Sequence, residues 1–429
     1  MKILVCDDQP ERCKDFVDKI PRAGQPHVDV LPLAGDKLTE ELMKLFHNAN
    51  ACLNDPKNCK PTGKSVFDDT DIVILDNNLA HLKVEGARLT AESIAGFIRA
   101  FTVAPYVISL NKNPDVDFDL RFLVGDYSTK ADLALNTEHL AIRALWSGSR
   151  GDPKDGFLPW YWPTLTTVVK RRRDQIDFVR KHLDDSVVEM LGFDDEAIGF
   201  LSLHAKGALS SEAGSDGMGE GGHQFKKLTF RHVFLAKDRS LPSKTEREDI
   251  SNAERNGNKA LRDIIARVVA ADVDLWFRRD VLGPQEPLVD IPHLLVRFPF
   301  LLGSSANDIN EWNKCISASD APYGLDQKLY DDYLAKRKFA HSMWAPTTCF
   351  WWPKLKADEK FNEYFFKPKE VEWADVVFCE DRSAFLERAP KNEGTPPVEF
   401  PAEFEGSWRG RYISRIPRVQ YAPRSRLAL

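Results

Sequence analysis

Apolar and polar positions along the first third of the chain alternate between two periods. Residues 2–6 (KILVC) are a short β-rich run that stops at Asp7 and Asp8, and PERCKDFVDKI then has helical spacing with Pro10 in its first turn. HVDVLPL at 27–33 predicts a second strand and LTEELMKLFHNANACL at 38–53 a second helix. The polar stretch NDPKNCKPTGKSVFDDTD is rich in turn formers and predicts a loop that lengthens this crossover. Residues 71–76 (DIVILD) are nearly continuous in apolar character, as expected of a strand covered on both faces. TAESIAGFIRAF predicts a helix capped by Thr90, APYVISL and LRFLVG two further strands, and ADLALNTEHLAIRALW a closing helix. Alternation of this kind predicts an α/β domain, a doubly wound five-stranded parallel sheet, over residues 1–146.

The texture then changes. SGSRGDPKDGF at 147–157 reads as a linker, and 158–429 as a mixed, helix-containing α+β region that acts as an effector or binds a partner. Helices are expected over 164–191 and 252–277. The glycine-rich segment at 207–222 is where this region would divide. HSMWAPTTCFWWPKL, with Trp344, Phe350, Trp351 and Trp352, predicts core, and EVEWADVVFCEDRSAF a strand.

A chain of 429 residues exceeds one ordinary core. Its 43% apolar and 29% charged residues describe a soluble globular protein. No apolar run reaches the roughly 18 residues that cross a bilayer, and MKILVCDDQP carries acids where a secretory signal has its apolar stretch, so the cytoplasm is expected and no membrane partner. The net charge of -6 supplies no global attraction to nucleic acid. The seven cysteines are expected to be reduced, and Cys52 and Cys59 lack the companions of a zinc site.

Loops at the carboxyl ends of parallel strands converge on one crevice. On this reading Asp7 and Asp8 follow the first strand, Asp76 ends the third, Ser109 ends the fourth and Lys130 follows the fifth. Three crowded carboxylates call for a divalent cation with oxygen ligands, such as Mg²⁺, and the Asn78 carbonyl is placed as a further ligand. With Ser109 and Lys130 on the phosphoryl oxygens, Asp76 becomes a nucleophile for phosphoryl transfer.

ILVCDD, IVILDNN, VISL and GDYSTKAD together resemble the receiver domain of two-component response regulators, a flavodoxin-like fold, over about a third of the chain. The resemblance implies a phosphoprotein of a phosphorelay, with Asp76 phosphorylated, Tyr127 and Ser109 as switch residues, a histidine kinase or phosphotransfer protein as donor, and self-association into a homodimer. The chain departs from the family in a longer span before Asp76 and in Ala131, where the family generally has proline. A receiver that keeps the fold without phosphotransfer, as an interaction scaffold, is the bland alternative.

No output motif of that family stands in the remainder. Lys170–Arg173 (KRRR) reads first as a solvated helical face. The tail carries Arg409, Arg411, Arg415, Arg418, Arg424 and Arg426 among aromatics, which suits contact with nucleic acid or an acidic surface, as in a DNA-binding regulator. Asp272 and Asp274, and Asp290 with His293, are the candidates for a hydrolase or nucleotide-processing effector; for the second pair a structural turn is the stronger reading.

Overall fold

The computed structural model describes residues 1–20, 28–60, 65–79, 81–82, 91–111, 118–119, 130–141, 146, 165–209, 222–236, 243–316, 324–359, 361, 373–379, 383–387, 398–399, 411–413 and 419–420. Strands β1 (Lys2–Asp7), β2 (Asp29–Ala34), β3 (Ile72–Asp76), β4 (Tyr106–Asn111) and β5 (Leu133–Asn136) form one parallel sheet in the order β2-β1-β3-β4-β5. This is the flavodoxin-like order, and a helical and mixed region follows it.

The period-2 alternation of each strand divides the sheet between two cores. Ile3, Val5, Ile72, Ile74, Ile108 and Leu110 pack with α1 (Pro10–Lys19) through Cys13, Phe16 and Val17. Their strand neighbours Leu4, Cys6, Val73, Leu75 and Val107 face α2 (Gly35–Asn54) and α3 (Ala91–Phe101). Gly35, at φ +58°, makes the tight step from β2 into α2.

The fifth strand differs from expectation. Residues 133–136 lie in the segment expected to be the closing helix, yet they pair with β4 from Ile108↔Leu133 to Asn111↔Asn136, and a 3-10 turn follows at Thr137–Ala141. Leu133 and Leu135 complete the core beside Ile108 and Leu110, whereas a three-residue apolar run has no period of its own to separate strand from helix. LRFLVG, the expected fifth strand, lies outside the described residues.

In the second region α4 (Leu165–Lys181) and α5 (Lys244–Arg255) both pack on α6 (Lys259–Trp276). The single helix expected over 252–277 is broken because Gly257 adopts φ +102° and Asn258 caps the new helix through Ala260 N–H. α4 likewise stops at Lys181, and Ser186 caps a separate turn at Val187–Met190. The α2/α3 core is continuous with α6 through Leu261, Ile264, Ile265 and Val269. Farther on, β6 (Leu288–Asp290) pairs antiparallel with β7 (Cys349–Trp351), and α7 (Ile291–Arg297) packs on β8 (Val376–Cys379). Trp344, Phe350 and Trp351 are core, as their concentration suggests, and Trp352 is partly buried against the distal core. The expected linker 147–157 and residues 210–221 lie outside the described residues.

Two further readings are corrected. Cys52 and Cys59 form a disulfide instead of remaining thiols, because α2 ends at Asn54 and a 3-10 turn at Pro56–Asn58 folds the chain back beside Cys52. The KRRR run is not a uniform solvated face. Lys170 and Arg173 are exposed, but Arg172 is 2% exposed and enters an ion-pair network with Asp132 and Asp274.

Candidate metal centre

β1 ends at Asp7 and β3 at Asp76, and the parallel register Cys6↔Leu75 brings both ends to one level. Asp7, Asp8 and Asp76 are all buried, and one carboxylate oxygen of each lies within 4.8 Å of the others. Among the described residues this is the one cluster of three or more His, Cys, Asp or Glu side chains that could hold a metal ion.

Backbone donors fix two of the carboxylates. Gln9 N–H donates to Asp7 Oδ1 at 2.8 Å, and His81 N–H donates to Asp8 Oδ2 at 2.8 Å. Asp7 Oδ2 and Asp8 Oδ1 stay buried without a hydrogen-bond partner. Buried carboxylate oxygens left in this state are costly, and a hard cation with oxygen ligands relieves them. The donor set therefore fits a divalent ion of the Mg²⁺ class.

Arg12 was not among the residues that the sequence singled out. It lies in the first turn of α1, where side chains lean back toward the helix start. Its Nη2 donates to Asp76 Oδ2 at 2.7 Å, and its Nε is 3.5 Å from Asp7 Oδ2. A signal for it exists in the sequence: a base in the first turn of a helix opposes the macrodipole, and the acids just ahead of it supply the compensation.

Burial pushes the Asp7 carboxyl up to about 7, opposed by the Gln9 N–H and Arg12 and reinforced by the charge of Asp76. Burial also raises the Asp76 pKa, opposed by Arg12 and reinforced by the charge of Asp8.

The remaining candidates around the site are distributed unevenly. Ser109 is buried in β4, in register with Leu75 one step before Asp76. Asn78 is exposed two residues beyond Asp76, and the intervening Asn77 N–H donates to Leu110 O at 2.7 Å, tying this loop to β4. Lys130 stands three residues ahead of β5 rather than after the fifth strand, and its backbone N–H donates to the Glu92 carboxylate in the first turn of α3. Tyr127 lies outside the described residues.

In the second region Asp272 and Asp274 sit on α6, where a spacing of two separates their directions. Asp274 is held by Arg172, Gln175 and Arg278, so its carboxylate serves the packing between α4 and α6. Asp290 caps α7 by accepting His293 N–H at 3.2 Å, also contacts His293 Nδ1, and accepts from Gln285 Nε2 at 3.1 Å. Asp274 and the Asp290–His293 pair are thus held in structural contacts. Arg409, Arg415 and Arg418 lie outside the described residues, and Arg411 begins a short strand, Arg411–Ile413.

No described helix is long and apolar enough to cross a membrane. Comparison with protein-family models, with curated proteins and with solved structures gives no match. The chain has an N-terminal flavodoxin-like parallel-sheet domain with an acidic cluster, a fold consistent with receiver domains, and that cluster is able to coordinate a metal ion.

Proposed function

We propose that the N-terminal domain is the receiver of a two-component signalling protein, with Asp76 as its phosphoacceptor. The observation that supports this most directly is the convergence of the Asp7, Asp8 and Asp76 carboxylates within 4.8 Å at the carboxyl ends of β1 and β3. Asp7, Asp8, Asp76 and the Asn78 carbonyl would hold Mg²⁺. When bound, the ion neutralises phosphoryl charge and orients the transferred group.

A carboxylate oxygen of Asp76 forms the bond to phosphorus, and the bond from phosphorus to the donor breaks. The donor, a phosphohistidine of a histidine kinase or phosphotransfer protein or else an acyl phosphate, leaves with the electron pair. Water later attacks phosphorus and restores the carboxylate. Ser109 donates its hydroxyl to a phosphoryl oxygen, and Lys130 supplies positive charge from the segment beside α3. Tyr127 follows Ser109 as the switch residue. The phosphorylated state then controls 158–429 and pairing into a homodimer, in the cytoplasm where such donors are made.

A second reading has its own support. Arg12 already pairs with Asp76, and Lys130 precedes β5, both of which favour a domain that keeps the fold as a docking scaffold. Intact mass after incubation with Mg²⁺ and acetyl phosphate separates the two. One added phosphoryl group on the parent and none on Asp76→Asn supports the phosphoacceptor, whereas an unchanged parent mass leaves the scaffold.

A further inference from the structure

We propose that Arg12 is a built-in counter-ion of the acidic site, which a divalent cation must displace in order to bind, so that Arg12 sets the affinity for metal. This rests on the reading of Asp7, Asp8 and Asp76 as a metal site.

The guanidinium occupies the ground such an ion would take. Nη2 is 2.7 Å from Asp76 Oδ2 and Nε is 3.5 Å from Asp7 Oδ2, so one cation bridges the ends of β1 and β3. It satisfies Asp76 Oδ2 but leaves the other acids incompletely served. Arg12 Nε, Asp7 Oδ2 and Asp8 Oδ1 are all buried with no hydrogen-bond partner. A guanidinium is a planar fork, matched to two oxygens of one carboxylate rather than to single oxygens from three. A small hard cation collects single oxygens from several carboxylates, which is the pattern these acids offer.

Both cations cannot remain against the same oxygens, because they repel strongly where little water intervenes. Arg12 has a route out. Its side chain is 26% exposed, and its guanidinium carbon already lies 5.7 Å from the centroid of the Phe16 ring, one turn along α1. The ring face can receive the displaced charge while the alkyl stem stays packed.

The test is Mn²⁺ binding, followed by the electron paramagnetic resonance of the free ion, with Arg12→Met, Arg12→Lys and the parent compared. Arg12→Met is expected to bind at least about tenfold more tightly than the parent, with Arg12→Lys between them because it keeps the charge and loses the fork. Equal or weaker binding by Arg12→Met overturns the inference and leaves the metal site standing. Absence of binding in every protein overturns both.

Nuclear magnetic resonance of the arginine Nε–H groups in the parent gives a reading that depends on no variant folding. The Arg12 signal should shift and exchange faster with water as Mg²⁺ is added. A signal that stays fixed while Mg²⁺ binds overturns displacement.

Discussion

Arg172 Nη2 lies 2.8 Å from Asp132 Oδ1, and the same nitrogen reaches Asp274 Oδ2 at 3.1 Å. Asp132 immediately precedes β5 and its other oxygen accepts Val107 N–H from β4 at 2.7 Å. One buried guanidinium therefore joins the edge of the parallel sheet to α6. Arg99 also pairs with Asp132 and Arg278 with Asp274, so each acid keeps one cation if Arg172 is lost. Removing one partner of a buried ionic group leaves the others incompletely compensated. Arg172→Met is expected to lower stability by about 3 kcal/mol, the lower end for a broken buried pair. The shift in urea midpoint measures it, and a change within error would remove the network from the interactions that hold the two regions together.

The metal-free acidic site should impose a pH dependence. Its sign follows from the raised pKa of Asp7, about 7 against an ordinary 3.8. The fold favours the protonated carboxyl, so this contribution is fully present below the unfolded value and is lost as pH rises through the folded one. Stability of chelator-treated protein should decline between about pH 4 and pH 7 from this source. Urea titrations of parent and Asp7→Asn across that range test it, and identical slopes would contradict the assignment.

Ser109→Ala removes a hydroxyl that the proposed reaction uses on a phosphoryl oxygen. Phosphorylation by acetyl phosphate, followed by intact mass over time, should slow by about ten- to a hundredfold. Mn²⁺ affinity should remain that of the parent. An unaltered rate would take Ser109 out of the reaction.

Asn258 Nδ2 donates to the carbonyls of Pro56, Lys57 and Cys59, at 3.0, 3.2 and 3.1 Å, inside the turn closed by the Cys52–Cys59 disulfide. The same side chain caps α6 through Oδ1. Asn258→Ala should cost about 1–2 kcal/mol, as loss of a cap together with exposed-edge hydrogen bonds. Reduction of the disulfide should cost about 2 kcal/mol by freeing a short loop. If the two losses arise in one clasp, they will sum to less than the separate values in thermal denaturation of the reduced variant.

Much of the sheet was legible because β1, β3 and β4 are apolar runs; β1 and β3 end in Asp7 and Asp76, and Ser109 stands two residues before the end of β4. The acids could be grouped because parallel topology brings strand ends together. β5 is hidden by its brevity, and with it the position of Lys130 ahead of that strand. Arg12 is hidden in the sequence because it stands in the first turn of α1 and not at a strand end, and only the fold brings it against Asp76. Arg172 was masked by its basic neighbours, two of which do face water. The disulfide is not legible from cysteine spacing and compartment, because the local turn at Pro56–Asn58 decides this pair.

Arg267, on α6, donates from Nη2 to Ala100 O at 2.9 Å and from Nε to Arg99 O at 3.2 Å, taking up carbonyls that the last turn of α3 leaves open. α3 begins near the loop after Asp76 and is thereby anchored at its far end to a residue more than 160 positions later. Any sliding or rotation of this helix must strain or break those two bonds. A displacement of α3 would therefore be carried to α6 through these two bonds.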